Sequence, residues 1–179
     1  KDPSIAQKVK GLVLMGGALK ISGNVTPFAE ANIYGDPDAA SEVFMSGIPI
    51  TMVGLDVTKQ AKFQEEHLNI LLSKFSSEKE ELKNFINQIV SFGFDASIKM
   101  NEGKQRLLHD PLAIGVVINP DFVKTENYHV FVETKGEFTT GATLADFRHP
   151  QDESKTNTAV CLEVDQDTFI NHFIETIAN

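Results

Sequence analysis

The sequence predicts an α/β domain whose mainly parallel sheet is flanked by helices, with a small antiparallel part near the C-terminus. Three observations predict it. Short apolar runs end in glycine or at a turn, as buried parallel strands do. Helical stripes spaced three and four residues apart lie between those runs. Period-two alternation appears only late in the chain. The 179 residues, 41% of them hydrophobic, suffice for one compact core, so residues 1–179 read as a single unit.

The elements follow in order. Ser4-Ile-Ala-Gln-Lys-Val9 reads as the end of a helix already under way, which, with a start on Lys1 rather than Met, leads to the expectation of a fragment. Gly11-Leu-Val-Leu-Met-Gly-Gly17 reads as a buried strand closed by a tight turn, and Ala18 to Gly35 as loop. Asp36-Pro37 supplies an N-cap and a first-turn proline for a helix striped by Ala39, Ala40, Val43 and Phe44 and ending near Gly47. Pro49 to Val57 reads as a second strand, and a helix from about Thr58 carries Ala61, Leu68, Leu71 and Leu72. Leu82, Phe85, Ile86, Ile89 and Val90 mark one buried helix face. Asp110 and Pro111 read as cap and first position of the next helix. Tyr128–Thr134 alternates as a strand, Asn157–Val164 is rich in β-branched residues, and Phe169, Ile170, Phe173, Ile174 and Ile177 stripe a closing helix.

Composition narrows the function. Sixteen lysines and arginines against 25 aspartates and glutamates give −9, and no basic patch relieves the repulsion this sets up toward nucleic acid or an anionic membrane surface. The densest charge run, Ser76 to Lys83, mixes signs as a solvated helix face does. No apolar run is long enough to span a bilayer, and no signal-peptide pattern opens the chain. The lone cysteine, Cys161, sits in an apolar stretch and excludes an intrachain disulfide, so a reducing, cytoplasmic setting is expected. Phosphate-loop, dinucleotide and zinc spacings are all absent.

Two segments carry possible chemistry. Ligands of open α/β sheets bind beyond the carboxyl ends of the strands, where Gly23-Asn-Val-Thr-Pro-Phe-Ala-Glu-Ala-Asn32 sets two carboxamides and a carboxylate in one loop. That set could grip a polyhydroxylated molecule, or the loop could be a turn initiated by Gly23-Asn24. His109-Asp110 joins an imidazole able to move a proton near neutrality to a hard oxygen ligand for Ca²⁺, or it is helix capping alone. His67, His129 and His172 read as surface or structural residues.

Taken in order, five stretches resemble the inosine-uridine preferring nucleoside hydrolase family: Val13–Gly17, Gly23–Ala40, Met52–Thr58, His109–Ala113 and Gly141–Arg148. The resemblance implies an open Rossmann-like nucleoside hydrolase fold, of which residues 1–179 are the C-terminal part of a single domain. It implies that Asn24, Glu30 and Asn32 hold ribose hydroxyls and that Met15 lines the sugar pocket. It also implies that Asp110 is a Ca²⁺ ligand and that His109 contacts the substrate and assists departure of the base. The family's aspartate-rich D-x-D-P-x-x-D-D segment, which brings most calcium ligands and the water-activating base, has no counterpart here. A missing N-terminal half would therefore be needed to complete the site.

The resemblance thus implies a calcium-dependent hydrolase of purine or pyrimidine ribonucleosides, acting in salvage as a homodimer or homotetramer, with this chain alone inactive. A nucleoside- or sugar-binding protein without turnover, or an inactive fragment, are the competing readings; a metal-dependent rate separates them from the enzyme.

Overall fold

The computed structural model describes residues 2–148, 152 and 155–179. Its central sheet runs in the order β1 (Leu12–Met15), β2 (Ile50–Val53), β8 (Thr158–Val164), β5 (Val123–Tyr128). β1 and β2 pair in parallel, Leu12 opposite Ile50 and Met15 opposite Val53, and β8 is parallel to β2. β5 closes the far edge antiparallel to β8, with an irregularity between Lys124 and Thr125. Two-stranded antiparallel ribbons join β3 (Lys62–Gln64) to β4 (Gln105–Leu107) and β6 (Phe131–Val132) to β7 (Thr143–Leu144).

Strand side chains alternate between faces, and each face has its own core. On one face Val53 and Cys161 pack with Leu112, Val116, Phe169 and Ile174 from α6 (His109–Ile118) and α7 (Gln166–Ala178), with Val13 and Met15 at the margin. On the other, Ile50, Met52 and Val160 meet Ile33 of α1 (Ala31–Gly35) and Phe44 of α2 (Pro37–Phe44), with Leu12 and Leu14 alongside. Helices on both faces of a largely parallel core are what the apolar runs predict.

Several boundaries differ from the expectation. Residues 3–8 form a short 3₁₀ helix begun at its own cap, the Asp2 carboxylate accepting from Ser4 N at 3.0 Å, rather than the tail of a longer helix. β1 is half-buried because one of its edges is unpaired within the described residues. The second strand stops at Val53; Gly54 turns the chain into a single helical turn, α3 (Leu55–Thr58). The expected helix at Thr58 starts only at Glu65, as α4 (Glu65–Lys74), after β3 intervenes. Asp110 and Pro111 lie inside the first turn of α6, whose cap residue is Leu108. The expected strand from Tyr128 divides into the end of β5 and the short β6.

The largest departure is α5 (Glu80–Lys99). Ile86 and Val90 pack against the core, but Leu82, Phe85 and Ile89 of the expected buried face are exposed, and Phe92 is 76% exposed. Ile114, Val117 and Ile118 on the outer face of α6 are exposed as well.

Candidate active site

The polar loop begins where β1 delivers it, at the carboxyl end of the sheet. Leu55 N donates to Gly17 O at 2.8 Å, tying the turn after β1 to the start of α3. Gly17 takes φ +84°, and a Cβ there would lie 2.9 Å from Met52 Cε and 3.0 Å from Thr143 Cγ2, so conformation and space both call for glycine.

Glu30 organises the loop from its far end. It is 2% exposed, and as N-cap of α1 its Oε2 accepts from Gly17 N at 3.0 Å, Asn32 N at 3.0 Å and Ile33 N at 3.2 Å. One carboxylate therefore joins the strand end to the first turn of α1, as an acid at a helix N-terminus is suited to do. Asn24 Oδ1 accepts from Ala31 N at 3.0 Å, which folds the loop back on itself. Asn32 Nδ2 donates to Met15 O and Met15 Sδ, both at 3.3 Å. Both carboxamides are otherwise exposed.

His109 opens α6 across the cleft. Its Nδ1 is 2.8 Å from Thr58 Oγ1, a hydroxyl on a fully buried residue, so the ring is held from α3. Burial pushes the His109 pKa below its ordinary value; the Asp110 and Glu30 charges oppose that shift and Arg106 adds to it. Asn24 and His109 line one cavity of about 120 Å³.

Glu30, Asn32 and Met15 are joined at the end of β1, and Asn24, bonded to Ala31 of the same loop, is the member of the set that shares a cavity with His109. Asp110 is exposed beside His109 and lines a second cleft with it. No three histidine, cysteine, aspartate or glutamate side chains among the described residues are placed to hold a metal ion. Calcium takes roughly six to eight oxygens, so Asp110 alone does not fit it.

The match to the family model of inosine-uridine preferring nucleoside hydrolases extends over residues 1–171. The chain belongs to that family. It is 36% identical over 174 residues to the pyrimidine-specific ribonucleoside hydrolase RihA of Shigella boydii, an overlap of 94% of this chain and 53% of that protein. It is 38% identical over 146 residues to a probable uridine nucleosidase 1 of Oryza sativa, covering 82% of this chain and 44% of the relative. Among solved structures, the purine-preferring ribonucleoside hydrolase from Gardnerella vaginalis superimposes with a TM-score of 0.86 at 34% identity, over 98% of this chain and 54% of that one. The chain spans about half the length of the curated relatives it matches.

Three residues of this nucleoside hydrolase segment escaped the sequence reading. Thr58 orients His109, and its only signal is its place just beyond the carboxyl end of the second apolar run. Asp56, buried, accepts from Leu19 N at 2.8 Å and Lys20 N at 2.7 Å and so pins the loop after β1. Thr143 Oγ1 donates to Ala18 O and accepts from Ala18 N, both at 2.9 Å.

Proposed function

We propose that residues 1–179 form the base-leaving side and part of the ribose-holding side of an active site that hydrolyses the N-glycosidic bond of purine or pyrimidine ribonucleosides to ribose and free base. The observation that carries this reading is the cavity shared by His109, whose ring is held by Thr58, and Asn24 of the loop that Glu30 and Asn32 help to fold. A water oxygen bonds to C1′ as the C1′–N bond breaks, and the electron pair leaves with the base, whose nitrogen takes a proton. The transition state carries positive charge on the ribose. The Glu30 carboxylate and the carboxamide oxygens favour that charge in a preorganised setting. Glu30 Oε1 accepts from Asn32 N alone, which leaves a lone pair for a ribose hydroxyl. With the Thr58 hydroxyl donating to Nδ1, the His109 Nε2–H is left to serve the departing base.

The calcium requirement is also proposed, supported by family membership and by the exposed Asp110 carboxylate at the start of α6. The other oxygens of the shell and the water-activating carboxylate then come from outside residues 1–179, which by themselves turn over no nucleoside. The open edge of β1 and the exposed Ile114, Val117 and Ile118 of α6, which packs on β1, support a further part of the domain covering this side. A homodimer or homotetramer is supported by the apolar stripe of α5, and a cytoplasmic setting by the unpaired Cys161. No helix among the described residues is long and apolar enough to cross a membrane.

The test is ribose release from uridine, inosine and cytidine by the whole protein, with excess Ca²⁺ and after chelation, beside its His109→Ala variant. Calcium-dependent release that falls at least about 100-fold on removal of the imidazole is expected. Binding of nucleoside with no release under any condition would sink the enzymatic reading.

A further inference from the structure

Arg106 is the cation that lines both spaces beside His109, and the proposed hydrolysis has so far no use for it; Lys59 reaches only the smaller of them. It lies on β4, its backbone fixed opposite Phe63 of β3, three residues before His109. It lines both spaces that meet at the imidazole, the cavity of about 120 Å³ shared with Asn24 and Ser97 and the cleft of about 360 Å³ shared with Asp110. Its charge acts on His109. Arg106 is exposed, and among the described residues its guanidinium makes no ion pair or hydrogen bond. Its donors are free.

The arm reaches this place through a gap in α5. A Cβ on Gly93 would lie 2.6 Å from Arg106 Cδ and 2.8 Å from Arg106 Nε, so the side chain crosses the helix where a residue is missing its side chain. Glycine inside a helix is less favourable than alanine. That disadvantage goes with a close passage in which an added Cβ would force the arm to shift.

We propose that Arg106 is the base-reading residue of this cleft, selecting bases that carry a carbonyl at their far edge, uracil and hypoxanthine, over those that carry an amine there, cytosine and adenine. The inference rests on the nucleoside-hydrolysing reading of the same site. A guanidinium has only donors, fixed in a planar fork, and so satisfies a carbonyl oxygen while facing an amine donor to donor. As the C1′–N bond breaks, the electron pair enters the base and spreads onto that carbonyl oxygen, while water supplies the oxygen to C1′ and the ring nitrogen finally takes a proton. The hydrogen bonds from Arg106 strengthen as that negative charge develops, so they stabilise the transition state more than the bound substrate. Gly93 acts as a positioning residue for the arm.

The experiment uses the whole protein and its Arg106→Gln, Arg106→Lys and Gly93→Ala variants, assayed on uridine, inosine, cytidine, adenosine and p-nitrophenyl riboside. The last has a leaving group that departs without hydrogen-bonding help and reports whether the ribose side is intact. Arg106→Gln should lower kcat/KM for uridine and inosine about 10- to 100-fold, the loss of a hydrogen bond to a charged group. The amino bases and the nitrophenyl riboside should be unchanged. Gly93→Ala should reproduce the pattern, because its methyl displaces the arm, and Arg106→Lys should retain part of the activity. Equal losses on every substrate, or none on uridine and inosine, would overturn the assignment. If the unsubstituted protein releases ribose from none of the five, the parent reading fails and this one with it.

Discussion

The loop at residues 16–30 and the helix α5 make an instructive pair. The loop has almost no regular structure, yet Gly17, Ala18, Leu19 and Lys20 each donate a backbone N–H to a side-chain oxygen of Glu30, Thr143 or Asp56. The helix satisfies its own backbone over 20 residues, yet only part of one face meets the core. Regular hydrogen bonding and firm placement are separate properties. The loop is held because buried carboxylates and a hydroxyl accept from it, and such groups are costly to leave unpaired. The helix is held by packing alone, and packing is thin along its outer stripe.

The sharpest way to break the comparison is Glu30→Ala, which leaves the N–H groups of Gly17, Asn32 and Ile33 without their acceptor. It should cost about 3–5 kcal/mol in denaturant unfolding of the whole protein, on the scale of breaking a buried charged network. A loss below about 1 kcal/mol would mean that the loop is held by other means. Next comes Thr143→Val, which keeps the shape but removes the exchange of hydrogen bonds with Ala18; about 1–3 kcal/mol is expected, with faster amide exchange confined to the loop.

The buried thiol of β8 gives a pH test. Burial pushes the Cys161 thiol from 9.0 up to about 12. As pH rises above 9 the unfolded chain releases this proton first, so the folded state holds more protons and stability must fall across that window, by at most about 1.4 kcal/mol per pH unit from this group. The native thiol should also resist alkylation at pH 8 and react fully once the protein is unfolded, and rapid native alkylation would contradict its burial. Smallest of all, Phe92→Ser on the outer stripe of α5 should change stability by no more than about 0.5 kcal/mol. A change near that of a core phenylalanine would show that the stripe is covered in the intact protein.

Much of this was legible in the sequence. The run at residues 11–17, the Asp36-Pro37 helix start, the β-branched stretch that becomes β8 and the stripe of α7 each carry a local signal that tertiary context does not contradict. Of the candidate site residues, Asn24 and His109 line one cavity, and Met15, Glu30 and Asn32 are tied together at the end of β1. The rest was hidden for physical reasons. The five-residue α1 is too short for a period and depends on a glutamate cap, whose alternative meaning as a ligand group looks the same in sequence. The turn of α3 lies in an apolar run that reads as continued strand until Gly54 interrupts it. Apolar residues in α5 recur along two adjacent stripes, and periodicity cannot tell which stripe finds a partner. Thr58 carries no signal of its own, because its role exists only once α6 has brought His109 beside it.

The bond between Ala18 and Thr143 spans 125 positions of the chain. On a ribosome adding about 5–20 residues each second, the loop leaves the exit tunnel roughly 6–25 s before the residue that holds its far side. During that interval Ala18 has neither its donor nor its acceptor on Thr143, and the nascent polypeptide exposes an unfinished cleft to whatever escorts it. The exchange of bonds between Ala18 and Thr143 therefore waits on translation of the segment near residue 143, and slow codons before that point would lengthen the exposure.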